Sequence, residues 1–229
     1  MTQDMGRHFT WGALMRFTLP SIAMMIFTSI YGVVDGLFVS NFAGKTAFAA
    51  VNFVMPIIMI PSAVGFMVGT GGSAIVAKTR GEGDDAAANR AFTMLVYSSA
   101  ALGVILCILG ILAAEPLCAL MGAEGQMLAD CGLYGRMVFA TLPFFVLQYV
   151  FQSFFVTAGK PQVGFYVVLL AGCMNIVLDA LLVGGMGLGL VGAALATNVS
   201  EILGGGIPLI YFARKNPSFL RFVRAPFRG

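Results

Sequence analysis

The chain has 229 residues, of which 59% are apolar and only 10% charged, with 13 Lys and Arg against 10 Asp and Glu. A water-soluble domain ordinarily carries about 25% charged residues, so a single soluble globule is excluded. Intrinsic disorder and nucleic-acid binding fail on the same arithmetic, because the net charge is only +3 and the basic residues do not line one face.

Crossing a hydrocarbon core of about 30 Å takes about 20 helical residues. Six apolar stretches are long enough, at 17–42, 47–77, 91–114, 132–157, 162–184 and 190–213. Backbone groups in lipid must be hydrogen-bonded internally, and each stretch far exceeds the roughly 10 residues of a barrel strand. The fold class is therefore all-α, an integral membrane bundle of six transmembrane helices. Residues 1–16 form an N-terminal segment, 17–213 the six-helix lobe, and 214–229 a basic tail or the start of a linker to a further lobe. In the long second span, Pro56, Pro61 and Gly65 predict a bend.

The positive charges fall on two sides. Arg7, Arg16, Lys78, Arg80, Arg90, Lys160, Arg214, Lys215, Arg221, Arg224 and Arg228 share one, and Lys45 and Arg136 lie on the other. Cytoplasmic loops carry the positive excess, so both termini are expected in the cytoplasm and the protein in the plasma membrane. The first apolar run is too long for a secretory h-region and no A-x-A-like site follows it, so no cleavage is expected. Beyond Asn216, Phe219, Leu220, Phe222, Val223 and Phe227 alternate with Arg221, Arg224 and Arg228. That pattern suits an anionic leaflet surface, although a linker is the preferred reading.

Some motifs carry no chemistry. Cys107, Cys118, Cys131 and Cys173 have no C-x-x-C spacing and His8 is the one histidine, so no transition-metal site is expected. Cys118 and Cys131 fall near one outer loop and are read as unpaired thiols. Gly187–Gly192 spells G-x-G-x-x-G but follows a membrane span rather than a strand, and reads as a tight turn. Asn198-Val199-Ser200 fits a glycosylation pattern inside a span, where no transferase reaches it. The Arg80–Asp85 run reads as a solvated turn, short of the ligands calcium needs.

The charges within the spans are Asp35, Arg136, Asp179 and Glu201. Intramembrane carboxylates are costly and usually face a cavity that moves ions or protons. Arg136 lies close enough to its helix end to snorkel. Counting from the outer helix ends at about 1.5 Å per residue puts Asp35, Asp179 and Thr197 at one level, about 8–11 Å deep. Asn175 shares a helical face with Asp179, as Tyr31 does with Asp35, at i and i+4. Two carboxyls in one poorly hydrated cleft resist being ionised together, so the pair either holds a proton or takes a sodium ion, for which carboxylate, amide and hydroxyl oxygens are suitable ligands. Their alternative role is to hydrogen-bond helices together, which returns only about 0.6 kcal/mol on average. Glu201, near mid-membrane, is either a second protonatable site or a partner of Gln148 or Gln152 in the fourth span.

At these residues the sequence resembles the multidrug and toxic compound extrusion (MATE) family of cation-coupled antiporters, members of the MOP superfamily. Pro20, Tyr31 and Asp35 match the family's helix-bending proline, tyrosine and cation-site aspartate. Gly81-Glu82-Gly83-Asp84 matches its loop after the second helix, and Asn175 to Asp179 with Gly187 to Thr197 carry its most specific signature. The resemblance implies a cation site at Asp35, Asn175, Asp179 and Thr197, with bending at Pro20. It also implies export of small amphipathic or cationic drugs in exchange for H⁺ or Na⁺, and no further cofactor. This sequence departs from the pattern at Gln152-Ser153 and Val156, where the family has an asparagine pair and an arginine, and at Glu201, more often an amide. Family members also carry a second six-helix lobe, so the partners implied are membrane lipid, the substrates, and that lobe or a second copy. The competing readings are a lipid-linked precursor flippase of the same superfamily, a passive channel, and an intramembrane aspartyl protease, for which the expected Tyr-Asp and Gly-x-Gly-Asp contexts are missing.

Overall fold

The computed structural model describes residues 11–223, and every described span is helical. The first span is α1 (Trp11–Phe38), closed by a π-helical turn, Val39–Ala43. Then come α2 (Lys45–Gly81) and α3 (Asp85–Leu120), both continuing beyond their apolar stretches. The fourth span is two helices, α4 (Gly125–Phe139) and α5 (Leu142–Thr157). The fifth is α6 (Pro161–Leu178) running into a π-helical segment, Asp179–Gly185, and the sixth is α7 (Gly189–Ala213). Counting α4 and α5 as one bent span, the described residues hold six helices able to cross a bilayer.

Local sequence explains the boundaries. Gly83, at φ +89°, turns the chain after α2, and the Asp84 carboxylate caps α3 by accepting a hydrogen bond from the Ala87 N–H at 2.8 Å. The glycines of the G-x-G-x-x-G string serve the turn before α7, with Gly187 and Gly189 both at positive φ. Helix α2 is continuous through Pro56 and Pro61, and α1 through Pro20. The sharp break lies in the fourth span, where α4 and α5 meet at 55°. Pro143 near the start of α5 lacks an N–H, which favours a new helix start there over continuation of the old one.

Apolar burial does not drive helices together in lipid, so close backbone approach must do much of the work. Gly65 and Gly69, four residues apart, let α2 lie against the backbone of α5 at Val146 and Val150. Gly205 of α7 sits directly against the Phe144 carbonyl, and Gly172 of α6 against Phe27 and Tyr31 of α1. Near the termini the bundle is filled by rings: Phe92 meets Phe154 edge-on at 4.8 Å and Phe212 at 5.1 Å, and Phe151 stacks on Phe212.

Residues 214–223 cap this aromatic end. Leu220 is fully buried, and Phe222 stacks on Phe92 and Tyr97. The Arg221 N–H donates to Asn89 Oδ1 at 2.6 Å and the Val223 N–H to Thr93 Oγ1 at 3.1 Å. Leu220 and Phe222 face the lobe because α3 offers both a ring surface and polar acceptors for the backbone N–H groups of this segment. Arg7, His8, Arg224, Phe227 and Arg228 lie outside the described residues.

Arg136 also departs from expectation. Because α3 runs to Leu120, Glu115 is helical and reaches Arg136 Nη2 at 2.6 Å, so the guanidinium is ion-paired. Cys118 and Cys131 are neighbouring buried free thiols.

The glycine contacts make a direct prediction. Gly205→Ala places a methyl group into the Phe144 backbone and should cost about 1–3 kcal/mol, as overpacking does. Gly71→Ala, with nothing near it, should be neutral or stabilising; thermal unfolding of both variants in detergent checks the contrast.

Candidate functional site

Where the aromatic packing ends, the bundle opens around a cavity of about 330 Å³. Helix α1 contributes Thr28, Tyr31 and Asp35, α6 Asn175, α7 Thr197, Ser200 and Glu201, α4 Tyr134 and α5 Gln148; Met55, Ile58, Met59 and Phe145 supply apolar wall. The i and i+4 spacings read from the sequence hold, since Tyr31 and Asp35 line the cavity from one face of one helix.

Asp179 stands just behind that wall, fully buried at the junction where α6 turns from α- to π-helix. The wider π-turn re-aims side chains, and such turns occur often at functional sites. Here the Asp179 carboxyl faces that of Asp35 within hydrogen-bonding reach. Asn175, 2% exposed, lies one turn away. Among the described residues Asp35 Oδ1, Asn175 Oδ1 and both carboxyl oxygens of Asp179 have no hydrogen-bond donor. Buried oxygens in that state normally have a partner, and a set consisting only of acceptors calls for a cation or a proton. Carboxylate and amide oxygens are ligands for hard ions, and no His, Cys or acidic cluster suited to a metal ion occurs among the described residues.

The remaining residues expected at the site divide. Thr197 lines the cavity, as does the buried Tyr134. Gln148 lines it too, whereas Gln152 does not. Glu201, 5% exposed, takes its hydrogen bond from Thr141 at 2.5 Å rather than from either glutamine. Pro20 does not line the cavity. Sequence reasoning missed Tyr134, Thr141 and Asn198. A signal existed: Tyr134, Thr141 and Gln148 recur every seven residues along the fourth span, which places polar groups on one helical face.

The MatE family model matches residues 20–181, which cover Asp35, Asn175 and Asp179. The chain belongs to the MatE family, and its fold is shared with solved MATE transporter structures. The multidrug export protein MepA of Staphylococcus haemolyticus (strain JCSC1435) is 29% identical over 204 residues, covering 89% of this chain and 45% of that protein. Among solved structures, MATE in complex with MaD3S superposes with a TM-score of 0.87 at 26% identity, covering 93% of this chain and 48% of the other. An outward-facing multidrug resistance MATE family transporter of the MOP superfamily gives 0.86 at 26% identity, over 93% and 47%. The chain thus spans about half the length of the curated relatives it matches. The intramembrane protease reading falls with this membership.

The donor deficit has a measurable consequence. Asp179→Asn puts N–H donors beside Asp35 Oδ1 and Asn175 Oδ1, so its melting temperature should equal or exceed that of the parent. A lowering by the equivalent of about 1–3 kcal/mol, the cost of breaking a made hydrogen bond in the interior, would mark Asp179 as a structural clasp instead.

Proposed function

We propose that this chain is one lobe of a cation-coupled antiporter that exports amphipathic, often cationic compounds in exchange for H⁺ or Na⁺. The observation that carries the reading is the Asp35–Asp179 pair with Asn175 beside it, forming a set of acceptors that one cation or proton would complete, while Thr197 lines the adjoining cavity. Membership in the MatE family and likeness to MepA support the multidrug direction. The lobe sits in the plasma membrane with both termini cytoplasmic, as the distribution of Lys and Arg favours. A second six-helix lobe, from further chain or a second copy, completes the path for the substrate.

Exchange follows from differential affinity. A ligand shifts a conformational equilibrium only as far as it binds one state better than the other. Cation bound between α1 and α6 draws the two helices together through Asp35 and Asp179. Substrate in the adjoining cavity, against Tyr31, Met55, Met59 and Phe145, competes for the same α1 surface. Each ligand therefore favours a different arrangement of one helix, and inward cation flow drives outward substrate flow. A lipid-precursor flippase is the second reading; it would need cationic groups for a phosphate, and the residues lining the cavity include no Lys, Arg or His.

Asp35→Asn should abolish gradient-driven efflux of a cationic dye from proteoliposomes, measured under separately imposed proton and sodium gradients, while leaving membrane insertion intact. Undiminished coupled export by that variant would refute the assignment.

A further inference from the structure

Glu201 has surroundings of its own. Its carboxyl oxygen Oε2 lies 2.5 Å from the Thr141 hydroxyl, at the break between α4 and α5. The same hydroxyl oxygen is 3.0 Å from Asn198 Oδ1 and 3.1 Å from the Val138 carbonyl. Three acceptors thus surround a group with one proton to give.

The orientation of the Asn198 amide is fixed independently, because Asn198 Nδ2 donates to the Met137 carbonyl at 2.9 Å. Flipping the amide would set two carbonyl oxygens against each other at that distance. Asn198 therefore presents its oxygen to Thr141. If Glu201 were ionised, the single Thr141 proton would go to it, leaving Asn198 Oδ1 facing a bare hydroxyl lone pair. A proton on Glu201 resolves the conflict: Glu201 donates to Thr141, and Thr141 donates onward to Asn198, while the Val138 carbonyl already accepts from the Thr141 N–H.

Among the described residues no cation lines the cavity to stabilise a carboxylate there. The groups facing Glu201 are Tyr31 and Asp35 of α1, Tyr134 of α4, Gln148 and Tyr149 of α5, and Asn175 of α6. All but Asp35 are neutral polar groups, and α2 presents Met55, Ile58 and Met59. Among the described residues the ion pairs are Lys78–Glu82, Arg80–Asp85 and Arg136–Glu115, none involving Glu201.

We propose that Glu201 holds a proton in this conformation, as a second acidic site separate from the aspartate pair, and that this proton closes a clasp across the bend of the fourth span. The clasp runs from Glu201 through Thr141 to Asn198 and the Met137 carbonyl, so it joins α7 to both sides of the break. Loss of the proton breaks one link and loosens the bend. The inference deepens the antiporter reading by giving it a second exchangeable proton on the same cavity, but the proton count at Glu201 stands independently of transport.

The test is infrared spectroscopy of the full chain in lipid through a pH titration, following the carbonyl band of protonated carboxyl groups. An Asp35→Asn/Asp179→Asn background should retain one such band at neutral pH, and adding Glu201→Gln should remove it. In the same background Thr141→Val should shift the band to higher frequency, since the carboxyl loses its hydrogen-bond partner; this arm carries the test should Glu201→Gln fail to fold. Absence of the band at neutral pH, its persistence in the glutamine variant, or an unshifted band in Thr141→Val would overturn the proposal. None of these outcomes depends on whether Asp35→Asn transports.

Discussion

Two carboxyl groups share a buried space between α1 and the end of α6 without a donor from the protein, and the surrounding lobe is arranged around that fact. Carboxyls in such a place are tolerated only when something positive or a proton joins them, because hydrocarbon offers no water to take up their charge. The π-turn that begins at Asp179 aims one carboxyl at the other, and Gly172, by letting α1 approach α6 closely, sets the distance across which they meet. Any change at this junction moves α1, which is the wall of the cavity.

The two ends of the lobe are built on different principles. Toward the termini, Phe92, Phe151, Phe154 and Phe212 interlock and residues 214–223 seal them, tied to α3 through Asn89 and Thr93. That end has little freedom, since close-packed rings respond to displacement by losing contacts rather than by sliding. Toward the opposite end the same helices separate around polar side chains. A lobe stiff at one end and open at the other can change shape at its cavity without coming apart, and the segment leaving α7 is held in place as it goes.

The bend of the fourth span connects these regions. By breaking between Phe139 and Leu142, the chain brings Tyr134 on one limb and Gln148 on the other to a single cavity. The break exposes main-chain groups that a straight helix would satisfy, and Asn198 meets one of them at Met137. Glu201, reaching the same break through Thr141, places an ionisable group where it acts on helix geometry as well as on the cavity. The two acidic centres of the lobe therefore differ in kind: one lies between two helices, the other at a joint within a span.

The amino-acid pattern alone specified six spans and their common helical character, because hydrophobic length and helical rise are local quantities that need no knowledge of neighbours. It also specified which polar residues share a face with each aspartate, at i and i+4. Tertiary structure alone decided the rest. The helix break fell at Ala140–Thr141, while α2 runs unbroken through Pro56 and Pro61, because a proline kinks or ends a helix according to how the freed carbonyls are met by neighbouring chains. Arg136 found Glu115 because α3 outran its apolar stretch, and Glu201 found Thr141 rather than a glutamine because Gly204 and Gly205 press α7 onto α5 at a register that sequence spacing does not encode. Contacts between helices depend on rotation and depth of one against another, and those are settled by packing across the whole bundle.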